Sequence, residues 1–258
     1  MIRMALHVSA YDLRAFLRNR QSQFFTLALP VLFLVIFASL FGGSGHTTQV
    51  VGGRISTSLY YMPGIIALGV IAACFGNLVA SVTAQRESGV LKRRRATPVP
   101  AGAIIGGRVL TAIVIAVVMS AVLLGLGWAA YGAHVPGRTA LALAVTVVIG
   151  AASFCCLGYA LTSLIRNEDA AVPTTQALLL PLYFISGVFV AVSILPHWLA
   201  DIGEIFPVRH LANALLVAYN PHTTGLGFAG LDLLIVAAWG VAGLLIAVRK
   251  FSWLPLGR

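Results

Sequence analysis

Residues 86–98 read Arg86-Glu87-Ser88-Gly89-Val90-Leu91-Lys92-Arg93-Arg94-Arg95-Ala96-Thr97-Pro98 and lie between two long apolar runs. The chemistry on offer is ionic docking rather than bond making. One carboxylate precedes four consecutive cations, whose guanidinium and ammonium donors suit acidic residues in a groove. Hydrocarbon cannot hold such a run, so it must be a loop facing water. Gly89 permits close approach of a second backbone. Thr97-Pro98 should end the segment before the next apolar run. The blander reading is a positive loop that only orients the chain. Glu87, Gly89, Leu91 and Pro98 in register with the cations favour docking.

Catalytic chemistry is hard to find. All six histidines (His7, His46, His134, His197, His210 and His222) fall in polar connections, so Ser186 has no base beside it within its apolar run. His197 and Asp201 have the i, i+4 spacing of two metal ligands, but lone polar pairs at a membrane surface seldom hold a metal. No Asp, Glu, Lys or Arg sits mid-run, where a proton-coupled carrier needs a relay. A sodium-coupled carrier built from neutral oxygens stays open. No GxxxxGK[ST] loop is present, so this chain cannot bind ATP in the P-loop manner. Uphill movement would draw its energy from a partner.

The elements that must carry these residues follow from composition. With 258 residues, 59% hydrophobic and 9% charged, the chain has too little polar surface for water and reads as a polytopic membrane protein. A net charge of +10 would suit nucleic acid, but the cations sit in short connections between apolar runs, which excludes that partner. Cys74, Cys155 and Cys156 lie inside apolar runs without metal-ligand spacing and read as small packing residues.

Apolar runs cover about 24–41, 59–82, 109–131, 140–165, 170–195 and 233–248. A helical span needs about 20 apolar residues, and these runs lack the alternation of barrel strands. The fold class is therefore all-α, with six transmembrane helices. With the N-terminus inside, 14 of the 17 Lys and Arg residues face the cytoplasm, leaving only Arg54, Arg138 and Arg209 outside. Both termini are thus expected in the cytoplasm.

Residues 1–23 could form the basic region of a signal peptide, but no convincing cleavage site follows. On a helical wheel Ile2, Ala5, Leu6, Leu13, Phe16 and Leu17 cluster on one side, and Arg3, His7, Arg14 and Arg18 occupy a narrow arc well away from that cluster's centre. This predicts an amphipathic helix at the lipid surface, either an anchor or a lever that senses a cytoplasmic partner. In the second run Ala72, Gly76 and Ala80 form one small-residue stripe, and Gly69, Ala73, Asn77 and Ser81 another. Such stripes serve tight internal packing, a dimer face or a translocation path. Pro181 should kink the fifth run. Residues 196–232 are too polar to cross and too apolar for an ordinary loop, which predicts short re-entrant helices in the outer leaflet.

The order of amphipathic helix, six spans and basic loop after the second resembles the permease subunit of ABC-2 type exporters, the branch with drug-resistance and polysaccharide-export permeases. Arg86-Glu87-x-Gly89-x-Leu91-Lys92 followed by Thr97-Pro98 is similar to the family's loop pattern. Ser186-Gly187-Val188-Phe189, Pro196, Trp198-Leu199 and Pro207 are similar to its fifth span and outer segment. Val90 stands where Thr is usual, Arg94 where Leu is usual, and Asn213-Ala214-Leu215-Leu216 where an acidic residue and an Ala-Leu-Arg run often follow Pro207.

The resemblance implies one transmembrane domain over 1–258, divided into an interfacial helix (1–23), a coupling loop (83–98) and an outer segment (196–232). It implies a partner ABC ATPase that binds ATP and Mg, a second permease chain, a bacterial plasma membrane, and no cofactor on this chain. Arg86, Glu87, Gly89, Leu91, Lys92, Arg93, Arg94 and Arg95 would couple to the ATPase. Asn77, Thr174, Thr175 and Gln176 are the polar candidates for a path carrying an amphiphilic drug, lipid or glycolipid-like cargo outward. The alternative is a sodium-coupled carrier or scaffold without an ATPase.

Overall fold

A computed structural model describes residues 2–41, 47–50, 53–96 and 99–252, and these are mostly helical. Helix α1 (Ile2–Arg18) ends one residue before α2 (Arg20–Phe41), with Asn19 as the break. A hairpin of β1 (Thr47–Val50) and β2 (Gly53–Ser56) follows, antiparallel, with Thr47 opposite Ser56 and Val50 opposite Gly53. The sequence reading held only helices. The β-branched residues on either side of Gly52-Gly53 were the available hairpin signal.

The second apolar run is one long helix with a local fault. Helix α3 (Thr57–Ile71) passes through a π-helical turn (Ala72–Gly76) into α4 (Asn77–Glu87). A short α5 (Val90–Arg95) leads to α6 (Ala101–Tyr131), and α7 (Ala140–Thr162) and α8 (Ala171–Ile185) come next. After a 3-10 turn at Val192–Ile194 stand α9 (His197–Gly203), α10 (Pro207–Tyr219) and α11 (Gly230–Lys250).

Among the described residues, four helices are long and apolar enough to cross a membrane: Tyr60–Glu87, Gly102–Tyr131, Ala140–Thr162 and Gly230–Lys250. Thr26–Leu40 and Ala171–Ile185 are shorter apolar helices. The last span begins earlier than the run at 233–248, because Asp232 sits in its first turn, where the helix dipole favours a carboxylate. The fifth run, read as 170–195, is helical only to Ile185. Pro181 lies within that helix, and Gly187, at φ +83°, then turns the chain out of helical geometry.

The bundle is built around α3 and α4. Of the apolar window in Tyr60–Glu87, 72% is buried, against 28% for Gly230–Lys250 at the periphery. Ile66, Val70, Ile71, Cys74 and Val79 are fully enclosed, while Leu231, Leu234, Val241, Leu245 and Val248 of α11 are exposed. Exposed apolar stripes of that kind belong against lipid or another apolar helix.

Small residues set the close crossings. A Cβ on Gly240 would lie 2.8 Å from Ser153 Cα, and one on Gly243 2.8 Å from the Leu157 nitrogen, so α11 seats directly on the α7 backbone. Gly107 does the same for α1, with the Ala5 carbonyl oxygen 2.8 Å from where its Cβ would be. Helix α1 is therefore packed against the bundle. Ser9 is buried against α6, where the Thr111 hydroxyl lies 3.1 Å from the Ser9 hydroxyl and 3.2 Å from its carbonyl oxygen. Arg3, His7, Arg14 and Arg18 are exposed, as their arc required. The apolar residues divide: Leu6 and Leu17 are exposed, whereas Ala5, Leu13 and Phe16 are half-buried. The side chain of Ile2 lies outside the described residues.

Candidate functional site

The basic segment is assembled from the end of α4, a glycine turn and α5. Ser88 closes α4, and its backbone N–H donates to the Ala84 carbonyl. Gly89 then adopts φ +73°, a left-handed conformation that side chains disfavour, and starts α5. Nothing lies within 4 Å of where its Cβ would be. The glycine is therefore required by the turn, and the space beside it is open. Thr97 and Pro98, the expected stop, lie outside the described residues.

Residues 86–95 divide into inward and outward groups. Glu87, Lys92, Arg93 and Arg95 are exposed. Leu91 is buried in the main apolar core and pins α5 to the bundle. Arg86 is fully buried, and its guanidinium donates to the carbonyl oxygens of Thr162, at 2.8 Å, and of Ile165. It thereby caps the orphan carbonyls where α7 ends. Arg94 is about one-third exposed and donates to Asp12 Oδ1 on α1 at 3.0 Å. The second oxygen of that carboxylate is buried without a hydrogen-bond partner among the described residues.

Sequence reading placed all eight residues on one docking surface. The tertiary structure turns Arg86 and Leu91 into braces and shares Arg94 with α1. Asp12 went unnoticed, although it is the only carboxylate before Glu87. Its scarcity in a basic stretch was the signal. Nearby, Arg108 of α6 donates to Gln85 Oε1 at 2.9 Å, tying α6 to α4 just before the basic segment.

The polar path candidates separate in the same way. Asn77, Thr175 and Gln176 line an elongated cavity of about 570 Å³ between α2, the α3–α4 helix and α8. Thr174 is exposed and does not line it. The small stripe Ala72, Gly76 and Ala80 forms one wall, and Phe24, Leu29 and Leu32 lie across from it. Asn77 donates to the Thr26 hydroxyl at 2.7 Å, while the Thr175 hydroxyl is spent on the Ala171 carbonyl within its own helix. The cavity is thus largely apolar with few free polar groups. At its Tyr183 end a cluster of rings closes in: Phe33 on Phe189 at 4.8 Å, Phe37 on Tyr61 at 4.5 Å, and Tyr183 edge-on to Phe189 at 5.6 Å.

Segment 196–232 holds the other polar group. His210 Nδ1 lies 2.7 Å from Asp232 Oδ1, and its Nε2 lies 2.8 Å from the Glu204 carbonyl oxygen. Asn213 donates to Asp232 Oδ2 at 2.7 Å. These bonds fasten α10 to the start of α11. His197 and Asp201 share α9, and among the described residues no three His, Cys, Asp or Glu side chains cluster to hold a metal.

A bundle of apolar helices, four of those among the described residues long and apolar enough to cross a membrane, with a braced basic segment and a largely apolar cavity, has the make-up of a membrane-embedded protein. The model of the ABC-2 type transporter family matches residues 6–220, and the chain belongs to that family. It is 26% identical over 180 residues to the probable multidrug ABC transporter permease YbhR of Escherichia coli K12, a match covering 70% of this chain and 47% of that protein. It is 24% identical over 234 residues to the inner membrane transport permease YadH of the same strain, covering 84% of this chain and 80% of that one. The chain thus spans about half the length of the first relative and most of the second.

Proposed function

We propose that this chain is the permease subunit of an ATP-driven exporter, powered by a separate ATPase and paired with a second permease chain. The carrying observation is α5: a short helix braced from behind by Arg86, Leu91 and Arg94, with Glu87, Lys92, Arg93 and Arg95 presented outward. Exposed charges on a rigid mount suit a protein groove better than mere membrane orientation. In this reading ATP and Mg bind the partner and none binds here. Closure of two ATPases moves α5, and α1 follows through Arg94 and Asp12. ATP binding shifts the equilibrium only by its differential affinity for the two conformations.

The same reading gives one transmembrane domain over 1–258, with parts at 1–23, 83–98 and 196–232, in a bacterial plasma membrane with both termini in the cytoplasm. Six spans would be α2, α3–α4, α6, α7, α8 and α11. Helix α8, at 15 residues, is about 22 Å long and shorter than the ~30 Å hydrocarbon core. The buried non-helical stretch after it, including Val188 and Ala191, would complete that crossing. Irregular backbone is tolerated at depth only where protein covers it.

The cavity lined by Asn77, Thr175 and Gln176 would be half of the path, completed by the partner permease. Its apolar walls favour an amphiphilic drug, lipid or glycolipid-like cargo over an ion. The relatives' names as permeases agree with this reading, and that of YbhR with a drug cargo. The test is co-purification from membranes with an ABC ATPase of the same organism, wild type against Glu87→Arg. Capture by the wild type and loss in a folded Glu87→Arg protein is expected. Equal capture by both would remove the coupling assignment, and capture by neither would remove the half-transporter.

A further inference from the structure

A second cavity, of about 240 Å³, opens between the start of the α3–α4 span, the turn after α8, and α10. It is smaller than the roughly 300–1,000 Å³ of a drug-sized site. Its polar lining includes Tyr60, Ser186, Ser193, Arg209 and Asn213, and no carboxylate.

Several of these polar groups have a donor to offer or a reason to want an anion. The Tyr60 phenol lines the cavity, and its hydroxyl can donate as well as accept. Ser186 is 1% exposed, and its hydroxyl has no hydrogen-bond partner among the described residues. A buried hydroxyl is costly to leave unpaired unless something satisfies it. Arg209 forms no ion pair among the described residues, and the nearby Asp232 is already held by His210 and Asn213. Arg209 also stands in the first turn of α10, the end where a helix dipole repels cations and attracts anions. A half-buried cation with no ion-pair partner among the described residues, beside a helix N-terminus, makes sense when an anion completes the site.

We propose that this cavity binds a phosphate-type oxyanion, contacted by the Arg209 guanidinium and the Tyr60 and Ser193 hydroxyls, with Ser186 in its wall. Its placement at the outer leaflet rests on the orientation proposed above. The oxyanion is either the headgroup of an anionic lipid or a free phosphate, and the guanidinium fork recognises both.

The test uses the full chain in two kinds of lipid nanodisc. In phosphatidylcholine discs with a minor fraction of phosphatidylglycerol, native mass spectrometry should show phosphatidylglycerol retained in preference to the bulk lipid. Arg209→Gln should lower that retention at least fivefold and Ser186→Ala by a smaller factor. Arg138→Gln, which removes another exposed cation, should leave it unchanged. In pure phosphatidylcholine discs, titration with inorganic phosphate reads the free-anion source, and saturable binding lost in Arg209→Gln assigns the site to it. Arg209→Gln behaving as wild type in both discs overturns the proposal. So does an equal loss in Arg138→Gln, which would mean diffuse surface attraction. If Arg209→Gln does not fold, Ser186→Ala decides, and unchanged retention there counts against the site. Neither arm needs an ATPase or transport, so failure here leaves the permease reading standing, and the reverse also holds.

Discussion

Arg86 reaches across the bundle to the Thr162 carbonyl at 2.8 Å, joining the residue that opens the basic segment to the last residue of α7. A guanidinium suits this position because its fork can serve several carbonyls at once, Ile165 being the second. The end of α4, from which the chain leads into α5, is thereby tied to the end of α7.

Removing that cap should be costly. Arg86→Ala leaves buried carbonyls unsatisfied and a void behind α4, for a loss of about 2–4 kcal/mol. Arg86→Lys should recover only part, since an ammonium lacks the fork. Thermal unfolding of the purified chain reads both. An Arg86→Ala protein that melts like the wild type would show the cap to be dispensable.

The Arg94–Asp12 pair should act as a link more than as a source of stability. One partner is a third exposed, so breaking it should cost no more than about 1 kcal/mol. ATPase capture should survive in Asp12→Asn while transport-coupled ATP turnover falls. The exchange Asp12→Arg with Arg94→Asp should restore coupling better than either single change. Equal defects in all three variants would indicate separate roles.

Gly89 and Gly107 should respond differently to the same methyl group. At Gly89 only the φ of +73° resists, so Gly89→Ala should cost about 1–2 kcal/mol and leave α1 seated. At Gly107 the new Cβ would meet the Ala5 backbone, so Gly107→Ala should displace α1 from α6. Cysteine crosslinking between α1 and α6 distinguishes them, with yield retained in the first and lost in the second.

Asn77 offers a milder test of the elongated cavity. Asn77→Ala gives up the bond to Thr26, and interhelical bonds in membranes average about 0.6 kcal/mol. Stability should barely change, while cargo-stimulated ATP turnover shifts if the cavity carries cargo. No change in turnover with several unrelated amphiphiles would remove Asn77 from the path.

Much of this molecule was legible in one dimension because hydrocarbon imposes a harsh rule. Apolar runs, flanking cations and the polar arc of Arg3, His7, Arg14 and Arg18 follow from the cost of placing charge or unpaired backbone in lipid, which each segment meets locally. Gly89, expected to admit a second backbone, instead makes a left-handed turn with open space beside it, whereas the helices at Ala101–Tyr131, Ala140–Thr162 and Gly230–Lys250 belong to that class. Which side of each polar residue faces the protein does not. Arg86 and Glu87 are adjacent charged residues, yet one is enclosed by α7 and the other is exposed. The π-helical turn at Ala72–Gly76 carries no proline to announce it. Asp12 meets Arg94 across 82 positions of chain. Such pairings are decided by packing among distant helices, where close approach at glycine and satisfaction of buried groups are settled jointly, and a local pattern holds no record of the partner.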